Sequence, residues 1–218
     1  MRIAFIHTVG FLVDNFRERA AAELAGTDCF HILNESLLQD LLRGAPKPLV
    51  YRRVVTQIVL AADAGADLIA ITCSATSPAV DAARMLVAQP VLKIDDPMMA
   101  EAVRAGTRIG LLCTATSTVE PSTALLHAHA AAQGRTVTVT PHVEAEAYAA
   151  LLRGERDKHD AAVRAAARSL AAGVDVLVLA QASLARLSDD IAGEVACPVL
   201  ASPPLLMREI AARVRATK

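Results

Sequence analysis

One apolar run constrains the fold of this chain more than any other stretch of its sequence. Residues 68–71 read Leu-Ile-Ala-Ile, and a threonine, Cys73 and a series of small residues follow, before a helix predicted from about Pro78. An apolar run without alternation is typical of a strand buried on both faces of a parallel sheet. The residues after such a strand lie at the carboxyl edge of the sheet, where α/β proteins bind ligands.

The same pattern of short apolar runs separated by helical segments recurs along the chain. Strands are predicted at 2–6, 29–33, 68–71, 90–94, 108–112, 136–140, 174–179 and 198–200. Helices are predicted at about 14–25, 49–64, 78–87, 97–105, 119–132, 144–152, 157–172, 184–194 and 203–215. Regular alternation of this kind predicts an α/β protein with parallel sheets flanked by helices.

Two parts of the sequence resemble each other, which predicts an internal duplication. Gly-Ala-Asp at 65–67 precedes one apolar run, and Gly-Val-Asp at 173–175 precedes another. Pro-Val-Leu at 90–92 is repeated at 198–200. We therefore expect two similar, pseudo-two-fold related lobes with the active site in the cleft between them. Lobe 1 is predicted to hold residues 1–95 and 200–218, and lobe 2 residues 96–199; one continuous doubly wound sheet is the alternative.

Composition and charge exclude several classes of protein. Of the 218 residues 54% are hydrophobic and only 3% aromatic, which excludes a disordered chain and indicates a core of small aliphatic side chains. A net charge of −1 gives no attraction to nucleic acid or to an anionic membrane. No apolar run reaches the roughly 18 residues of a membrane span, and the N-terminus lacks a signal-peptide layout.

The four cysteines are Cys29, Cys73, Cys113 and Cys197, and they lie far apart without metal-ligand spacing. No metal site is expected, and a reduced, cytoplasmic enzyme fits this usage better than a disulfide framework. Cys73 is the one that follows the central apolar run. A thiol beside free backbone N–H groups is a candidate nucleophile or base, because such donors favour the thiolate. The alternative is a small apolar residue packed at the end of a strand.

Several motifs together resemble the aspartate/glutamate/hydantoin racemase superfamily. The first lobe contributes Ile-Thr-Cys-Ser-Ala at 71–75, Ser-Pro at 77–78 and the preceding Gly-Ala-Asp at 65–67. The other motifs are Asp-Asp-Pro-Met at 95–98, the strand 108–112 with the threonine-rich loop after it, and the corresponding second-lobe strand at 174–179. The resemblance covers essentially the whole chain. It implies an enzyme without a cofactor that acts on a small carboxylate and forms a homo-oligomer. In that family two thiols, one per lobe, exchange a proton on opposite faces of an acidic carbon.

Carried onto this sequence, the resemblance makes Cys73 the acid/base thiol. His7 ends the first strand and is the second catalytic candidate, as a partner of Cys73 or a donor to the substrate; a structural histidine is the alternative. The residues expected to bind the substrate are Thr8, Ser74, Ala75, Thr76, Thr114, Thr116, Ser117, Gln181, Ala182 and Ser183. Ordinary turn and helix-cap duty is the alternative for the threonines and serine at 114–117.

The sequence departs from the family pattern in the second lobe. The residue at the position of the second cysteine is Gln181, and Ala182 follows it. An amide is neither an acid nor a base near neutral pH, but it can donate to and accept from a carboxylate or an enolate. The second proton donor would then be His7, Cys113, Ser183 or water, and Cys113 is more simply a buried small residue.

Three functions follow from these features. The first is a racemase or isomerase-like enzyme that moves a proton next to a carboxylate through Cys73. The second is a decarboxylase of a malonate-type acid, since loss of carbon dioxide generates the carbanion and a single thiol suffices to protonate it. The third is a binding protein for a small carboxylate that catalyses no reaction.

Overall fold

Each of two parallel sheets contains four strands in the computed structural model, which describes residues 1–217. The first sheet consists of β1 (Arg2–His7), β2 (Asp28–Leu33), β3 (Leu68–Ile71) and β4 (Val91–Lys93), in the spatial order β2-β1-β3-β4. The second consists of β5 (Arg108–Cys113), β6 (Thr138–Val143), β7 (Val176–Leu179) and β8 (Val199–Ala201), in the order β6-β5-β7-β8. These separate sheets confirm the predicted α/β class and show that the alternative of one continuous sheet is wrong.

Helices connect the strands. They are α1 (Phe11–Glu23), α2 (Ser36–Leu42), α3 (Lys47–Asp63), α4 (Ala79–Ala83), α5 (Asp96–Ala105), α6 (Val119–Ala132), α7 (Ala145–Leu152), α8 (Arg156–Ala171), α9 (Ser188–Ala192) and α10 (Ser202–Ala216). Short 3₁₀ turns cover Ser74–Thr76, Thr116–Thr118 and Ala182–Leu187. Within residues 1–217, every helix is too short or too polar to cross a membrane.

The chain divides into two compact units, each built on one sheet. Unit 1 is Met1–Ile94 together with the chain from Pro203 onward, and unit 2 is Asp95–Ser202. The lobes predicted from the sequence were 1–95 with 200–218, and 96–199; Lys218 lies outside the described residues.

The strand registers of the two units repeat each other. Ile3 lies opposite Leu68 in the β1–β3 pair, and Ile109 lies opposite Val176 in the β5–β7 pair. Positions in β1 and β5 therefore correspond at a spacing of 106 residues (109 − 3), and positions in β3 and β7 at a spacing of 108 (176 − 68).

The duplicated Gly-x-Asp motif has the same structural role in both units. The N–H of Asp67 donates to the carbonyl of Arg2 at 2.7 Å, and its carboxylate accepts from the N–H of Arg2 at 2.6 Å. Asp175 makes the corresponding pair of bonds with Arg108, at 2.7 and 2.8 Å. Each aspartate therefore fixes the amino ends of two neighbouring strands, which sets the register of the strands that carry the site residues.

Both central strands are buried along their whole length. All four residues of β3 and all four of β7 are at most 1% exposed, because helices cover both faces of a parallel sheet. Full burial of one large aliphatic side chain stabilises a fold by about 1.5–3 kcal/mol. The apolar runs at 68–71 and 176–179 are thus explained by packing alone.

The predicted elements differ most from the observed ones at one short helix, one edge strand and two helices that follow 3₁₀ turns. Helix α2 was missed, since its seven residues are too few for a clear helical period. Strand β6 lies two to three residues later than predicted and includes Pro141, which an edge strand tolerates. The helices predicted at 78–87 and 184–194 are shorter and follow 3₁₀ turns.

Candidate functional site

The candidate site residues of unit 1 lie where β1 and β3 end. These strands are adjacent and parallel, so the residues that follow them meet at one edge of the sheet. His7 and Thr8 come from β1, and Thr72 and Cys73 follow β3. All four are buried, and Cys73 is 9% exposed while His7 is fully buried.

Hydrogen bonds from two side chains hold the backbone around Cys73. Cys73 is extended, with φ −132° and ψ 116°, and the Ser74–Thr76 turn begins directly after it. The hydroxyls of Thr76 and Ser77 donate to the carbonyl of Cys73 at 3.2 and 3.0 Å. These side chains therefore fix the position of Cys73. The predicted contact of Thr76 with substrate stays a prediction, as do those of Ser74 and Ala75, which are buried in the same turn.

His7 is hydrogen-bonded on both sides of its ring. Its Nδ1 lies 2.8 Å from the hydroxyl oxygen of Thr72, and its Nε2 lies 2.9 Å from Nδ1 of His31. The Thr72 hydroxyl also lies 3.1 Å from the carbonyl of Ile6, to which it can only donate. With that bond made, the Nδ1–H of His7 donates to Thr72, and the Nδ1–H of His31 donates to Nε2 of His7.

This network keeps His7 neutral. Burial, together with the neighbouring His31 and Arg17, lowers the pKa of His7 to about 3. The ring packs against Phe16 at a centroid distance of 5.6 Å and against His31 at 5.1 Å. Because both ring nitrogens are bonded to partners other than Cys73, this geometry favours the structural alternative for His7.

Thr8 directly follows His7 in the chain, but its side chain takes no part in this hydrogen-bond network. Its hydroxyl is buried and has no hydrogen-bond partner within residues 1–217. An unpaired buried hydroxyl is uncommon because its desolvation is not compensated. The predicted contact of Thr8 with substrate stays a prediction.

Unit 2 places Gln181 at the position that Cys73 has in unit 1. Each follows its strand by two residues, at the corresponding spacing of 108, and each directly precedes a 3₁₀ turn. The backbone of Gln181 is also extended, with φ −133° and ψ 134°. The turn is therefore repeated while the side chain is changed from a thiol to an amide.

Thr114 holds the Gln181 side chain in one orientation. The backbone N–H of Thr114 donates to Oε1 of Gln181 at 2.5 Å, and the Thr114 hydroxyl donates to the same oxygen at 2.9 Å. An N–H group can only donate, so the amide atom that faces Thr114 is the oxygen and the NH₂ group points away. The structure thus brings together two of the residues predicted to bind substrate.

Cys113 does not have the properties of an accessible acid or base. It ends β5, is fully buried, and its thiol donates to the carbonyl of His142 at 3.8 Å. Burial raises the pKa of Cys113 to about 11. The thiol therefore stays protonated near neutral pH, which agrees with the prediction of a buried small residue.

The remaining predicted residues of unit 2 lie in the two 3₁₀ turns at the same sheet edge. Thr116 and Ser117 are exposed in the Thr116–Thr118 turn. Ala182 and Ser183 are half-buried at the start of the Ala182–Leu187 turn. Their contacts with substrate stay predictions. Within residues 1–217, no group of three or more His, Cys, Asp and Glu side chains is arranged to hold a metal.

Sequence reasoning missed Thr72 and His31. Thr72 directly precedes Cys73, and that adjacency is the one signal for it in the sequence. His31 lies opposite Phe5 in the β1–β2 pair, so its ring comes near His7 through strand pairing. No local pattern marks it, since the two histidines are 24 residues apart.

Comparisons with known proteins agree on one fold. The family model described as Asp/Glu/Hydantoin racemase matches residues 11–210. Allantoin racemase from Klebsiella pneumoniae is 21% identical, with a TM-score of 0.69 over 100% of this chain and 89% of that one. Aspartate racemase from Picrophilus torridus is 12% identical, with a TM-score of 0.72 over 99% and 93%. Glutamate racemase from Aquifex pyrophilus is 16% identical, with a TM-score of 0.67 over 96% and 82%. No curated protein sequence matches this chain.

Proposed function

Because the chain belongs to the Asp/Glu/hydantoin racemase family, we propose that it is a racemase or isomerase-like enzyme that needs no cofactor. It moves a proton next to the carboxylate of a small acid, and Cys73 is the acid/base thiol. The observation that carries this proposal is the position of the thiol, two residues after the carboxyl end of the buried strand β3.

The other three cysteines are less suited to this role. Cys29 lies near the amino end of β2, and Cys197 lies just before the amino end of β8. Both therefore lie at the sheet edge opposite to the one where α/β proteins bind ligands. Cys113 is fully buried with a raised pKa. Position therefore favours Cys73 over Cys29 and Cys197, and the 9% exposure of Cys73 favours it over the fully buried Cys113.

The reaction that we propose is a proton transfer without redox change. The Cys73 thiolate takes the hydrogen on the carbon next to the carboxylate, so that the C–H bond breaks and an S–H bond forms. The electron pair stays on the substrate as an enolate-like anion, and hydrogen-bond donors stabilise the charge. Water returns a proton to the opposite face of the carbon, and the Cys73 thiol gives its proton to the solvent, so that the carbon is inverted and the thiolate is restored. A positioned acid/base group of this kind contributes about 10²–10⁴-fold to the rate.

The substrate that we propose is small and polar. Aromatic residues make up only 3% of the chain, which argues against a large aromatic-lined pocket. The solved structures of similar fold are named as racemases of allantoin, aspartate and glutamate. These compounds therefore form the first panel to test. Homo-oligomerisation stays a prediction from the family resemblance.

The test is hydrogen exchange followed by NMR in D₂O. The panel is both enantiomers of aspartate and of glutamate, allantoin, a hydantoin and substituted malonates. We expect the wild-type protein to place deuterium on the carbon next to the carboxylate or ring carbonyl of one of them, and Cys73→Ser to slow that exchange by about 10²–10⁴-fold. Cys197→Ser is the matched control and should exchange at the wild-type rate. Exchange that survives Cys73→Ser unchanged contradicts the proposal.

The replacement of a second thiol by Gln181 favours one further candidate function. A decarboxylase of a malonate-type acid needs one proton donor, since the carbanion forms when carbon dioxide leaves. Loss of carbon dioxide from the malonates in the same panel would establish it. A non-catalytic carboxylate-binding protein would instead show a raised Tm with a panel compound and no exchange with any of them.

A further inference from the structure

The carboxyl ends of β2, β1 and β3 in unit 1 carry a row of three side chains on one face of the sheet. Ile6 lies opposite Ile32 in the β1–β2 pair and opposite Ile71 in the β1–β3 pair, and these three side chains pack in one core. Alternate residues of a strand lie on the same face, so the residues two positions further on share that face. In order across the sheet, the residues of this row are Asn34, Thr8 and Cys73.

Backbone hydrogen bonds continue both strand pairings up to the row. The N–H of Asn34 donates to the carbonyl of His7 at 2.9 Å, and the N–H of Thr72 donates to the carbonyl of Ile6 at 3.0 Å. The backbones of Asn34 and Cys73 are two strand spacings apart, about 10 Å. A small acid whose reacting carbon lies at Cys73 therefore has its opposite end within reach of the Asn34 side chain.

Ser36 and Arg53 hold the side chain of Asn34 in one orientation. The Ser36 hydroxyl donates to Oδ1 of Asn34 at 2.5 Å and accepts from Nη2 of Arg53 at 2.5 Å. A guanidinium group can only donate, so the hydroxyl keeps its own proton for Asn34. With its oxygen bound in this way, the half-buried Asn34 presents its NH₂ group as a hydrogen-bond donor.

The fold by itself does not require an amide at position 34. The first turn of α2, which follows Asn34, has no side-chain cap. In unit 2 the backbone bond that corresponds to the one from Asn34 is made by Glu144, whose N–H donates to the carbonyl of Cys113 at 2.8 Å. The same bond therefore forms with a carboxylate side chain at this position, which leaves the amide of Asn34 to be explained by another role.

The charges around the row favour an uncharged acceptor over a second carboxylate. The hydroxyl of Thr8 is buried without a partner within residues 1–217. The cation of the Asn34 network, Arg53, is bonded to Asp40 at 2.5 Å. The carboxylate of Glu35 accepts from the N–H of Gly10 at 3.3 Å, in the loop after β1. Burial of a charge without an opposite charge is costly, so a carbonyl oxygen suits this row better.

We infer that Asn34 determines substrate specificity by donating from its NH₂ group to an uncharged carbonyl oxygen, as in an amide or a ureide, at the end of the acid remote from Cys73. This inference rests on the proposed function and names the class of acid for it. That acid carries one carboxylate, next to the reacting carbon, and one amide-type group. Ser36 and Arg53 are positioning residues, because they act through the orientation of Asn34.

The test compares succinamate with succinate, in which a carboxylate replaces the amide, by calorimetry on the full-length protein. We expect the wild type to bind succinamate at least about 10-fold more tightly, since succinate brings a second charge to neutral side chains. Asn34→Ala should weaken succinamate binding by about 10-fold and narrow the difference between the probes. The matched control is Asn15→Ala, on the exposed face of α1, which should keep both affinities.

Three results overturn the inference. The first is equal affinity of the wild type for the two probes, the second is wild-type succinamate affinity in Asn34→Ala, and the third is a wild type that binds neither probe. Thermal unfolding of Asn34→Ala and Asn15→Ala establishes that both variants are folded at the temperature of the binding measurement.

The positioning role of Ser36 is tested by a conservative pair. Ser36→Ala removes the hydroxyl, and Ser36→Thr keeps it. We expect Ser36→Ala to lower the ratio of succinamate to succinate affinity, and Ser36→Thr to restore it. The ratio is the decisive quantity, because partial unfolding weakens the binding of both probes together. Ser36→Ala with the wild-type ratio contradicts this role.

These outcomes are distinguishable from those of the exchange test. Deuterium exchange by a wild type that binds the two probes equally leaves the proposed function standing and overturns the role of Asn34. A protein that exchanges no compound of the panel, but prefers succinamate and loses that preference in Asn34→Ala, overturns the enzymatic function and supports the role of Asn34 in binding.

Discussion

Units 1 and 2 repeat one backbone and place different chemistry on it. Both have the same strand order, and in both an extended residue and a 3₁₀ turn follow the central strand. That residue is Cys73 in unit 1 and Gln181 in unit 2. At the end of the neighbouring strand, unit 1 has a buried neutral His7 and unit 2 a buried Cys113. The backbone turn is therefore repeated in both units, whereas the side chain that precedes it differs in chemistry between them.

The corresponding threonines sharpen this contrast. Thr114 donates twice to Gln181, whereas the hydroxyl of Thr8 is buried without a partner within residues 1–217. The same residue type at the same position is thus satisfied by the protein in one unit and unsatisfied in the other. At this sheet edge, unit 2 therefore satisfies the hydrogen bonds of its threonine with its own side chain, and unit 1 does not.

The largest difference in stability that we expect concerns His7, the residue that unit 2 replaces with Cys113. Burial holds the pKa of His7 near 3, against 6.5 in an unfolded chain. The unfolded state therefore binds more protons between these values, and stability is lost as the pH falls below about 6.5. Between pH 6.5 and pH 4.5 the free energy of unfolding should therefore fall by up to about 3 kcal/mol.

Urea unfolding of the wild type and His7→Asn at pH 7.0 and 4.5 measures this difference. His7→Asn should lose less stability than the wild type over that interval. The control is His127→Asn, on the exposed face of α6, which should keep the wild-type pH dependence. Identical pH dependence in the wild type and His7→Asn would show that His7 is not the group responsible.

A smaller effect is expected at the glycines of the repeated Gly-x-Asp motif. Gly65 has φ +83°, a left-handed conformation that disfavours a Cβ atom, whereas Gly173 has no atom within 4 Å of an added Cβ and no such φ. We expect Gly65→Ala to destabilise by about 1–2 kcal/mol. Gly173→Ala should be neutral or stabilise by up to about 1 kcal/mol. Equal shifts of the urea midpoint in both variants would contradict this reading.

The smallest effect is expected for the two threonines. Thr114→Val removes one hydrogen bond to Gln181 and should destabilise by about 1 kcal/mol. Thr8→Val replaces an unpaired buried hydroxyl with a methyl group of similar size, and should be neutral or slightly stabilising. Thermal unfolding of both variants measures the difference. A larger loss in Thr8→Val than in Thr114→Val would mean that the Thr8 hydroxyl is bonded in the folded protein.

The sequence predicted most of the architecture because the necessary signals are local. Alternating apolar runs and helical segments specified parallel sheets flanked by helices, and the Gly-x-Asp repeat indicated two related parts. The end of an apolar run also located Cys73 and Gln181 at a sheet edge. Helix α2 was missed since seven residues carry too little periodicity. Strand β6 was placed too early because the alternating Thr-Val run at 136–140 ends at Pro141, whereas the observed strand continues through this proline to Val143.

What the sequence alone determined is the class of fold, the sheet edge that carries the candidate residues and the absence of a thiol at position 181. Tertiary structure decided which groups of those residues are occupied. Thr114 and Gln181 are 67 residues apart, and His7 and Thr72 are 65 apart. Such contacts arise when distant strands pair, and hydrogen-bond direction then depends on distances of a few tenths of an ångström. No local pattern encodes that geometry, so the fixed amide of Gln181 and the neutral ring of His7 emerge only in the folded chain.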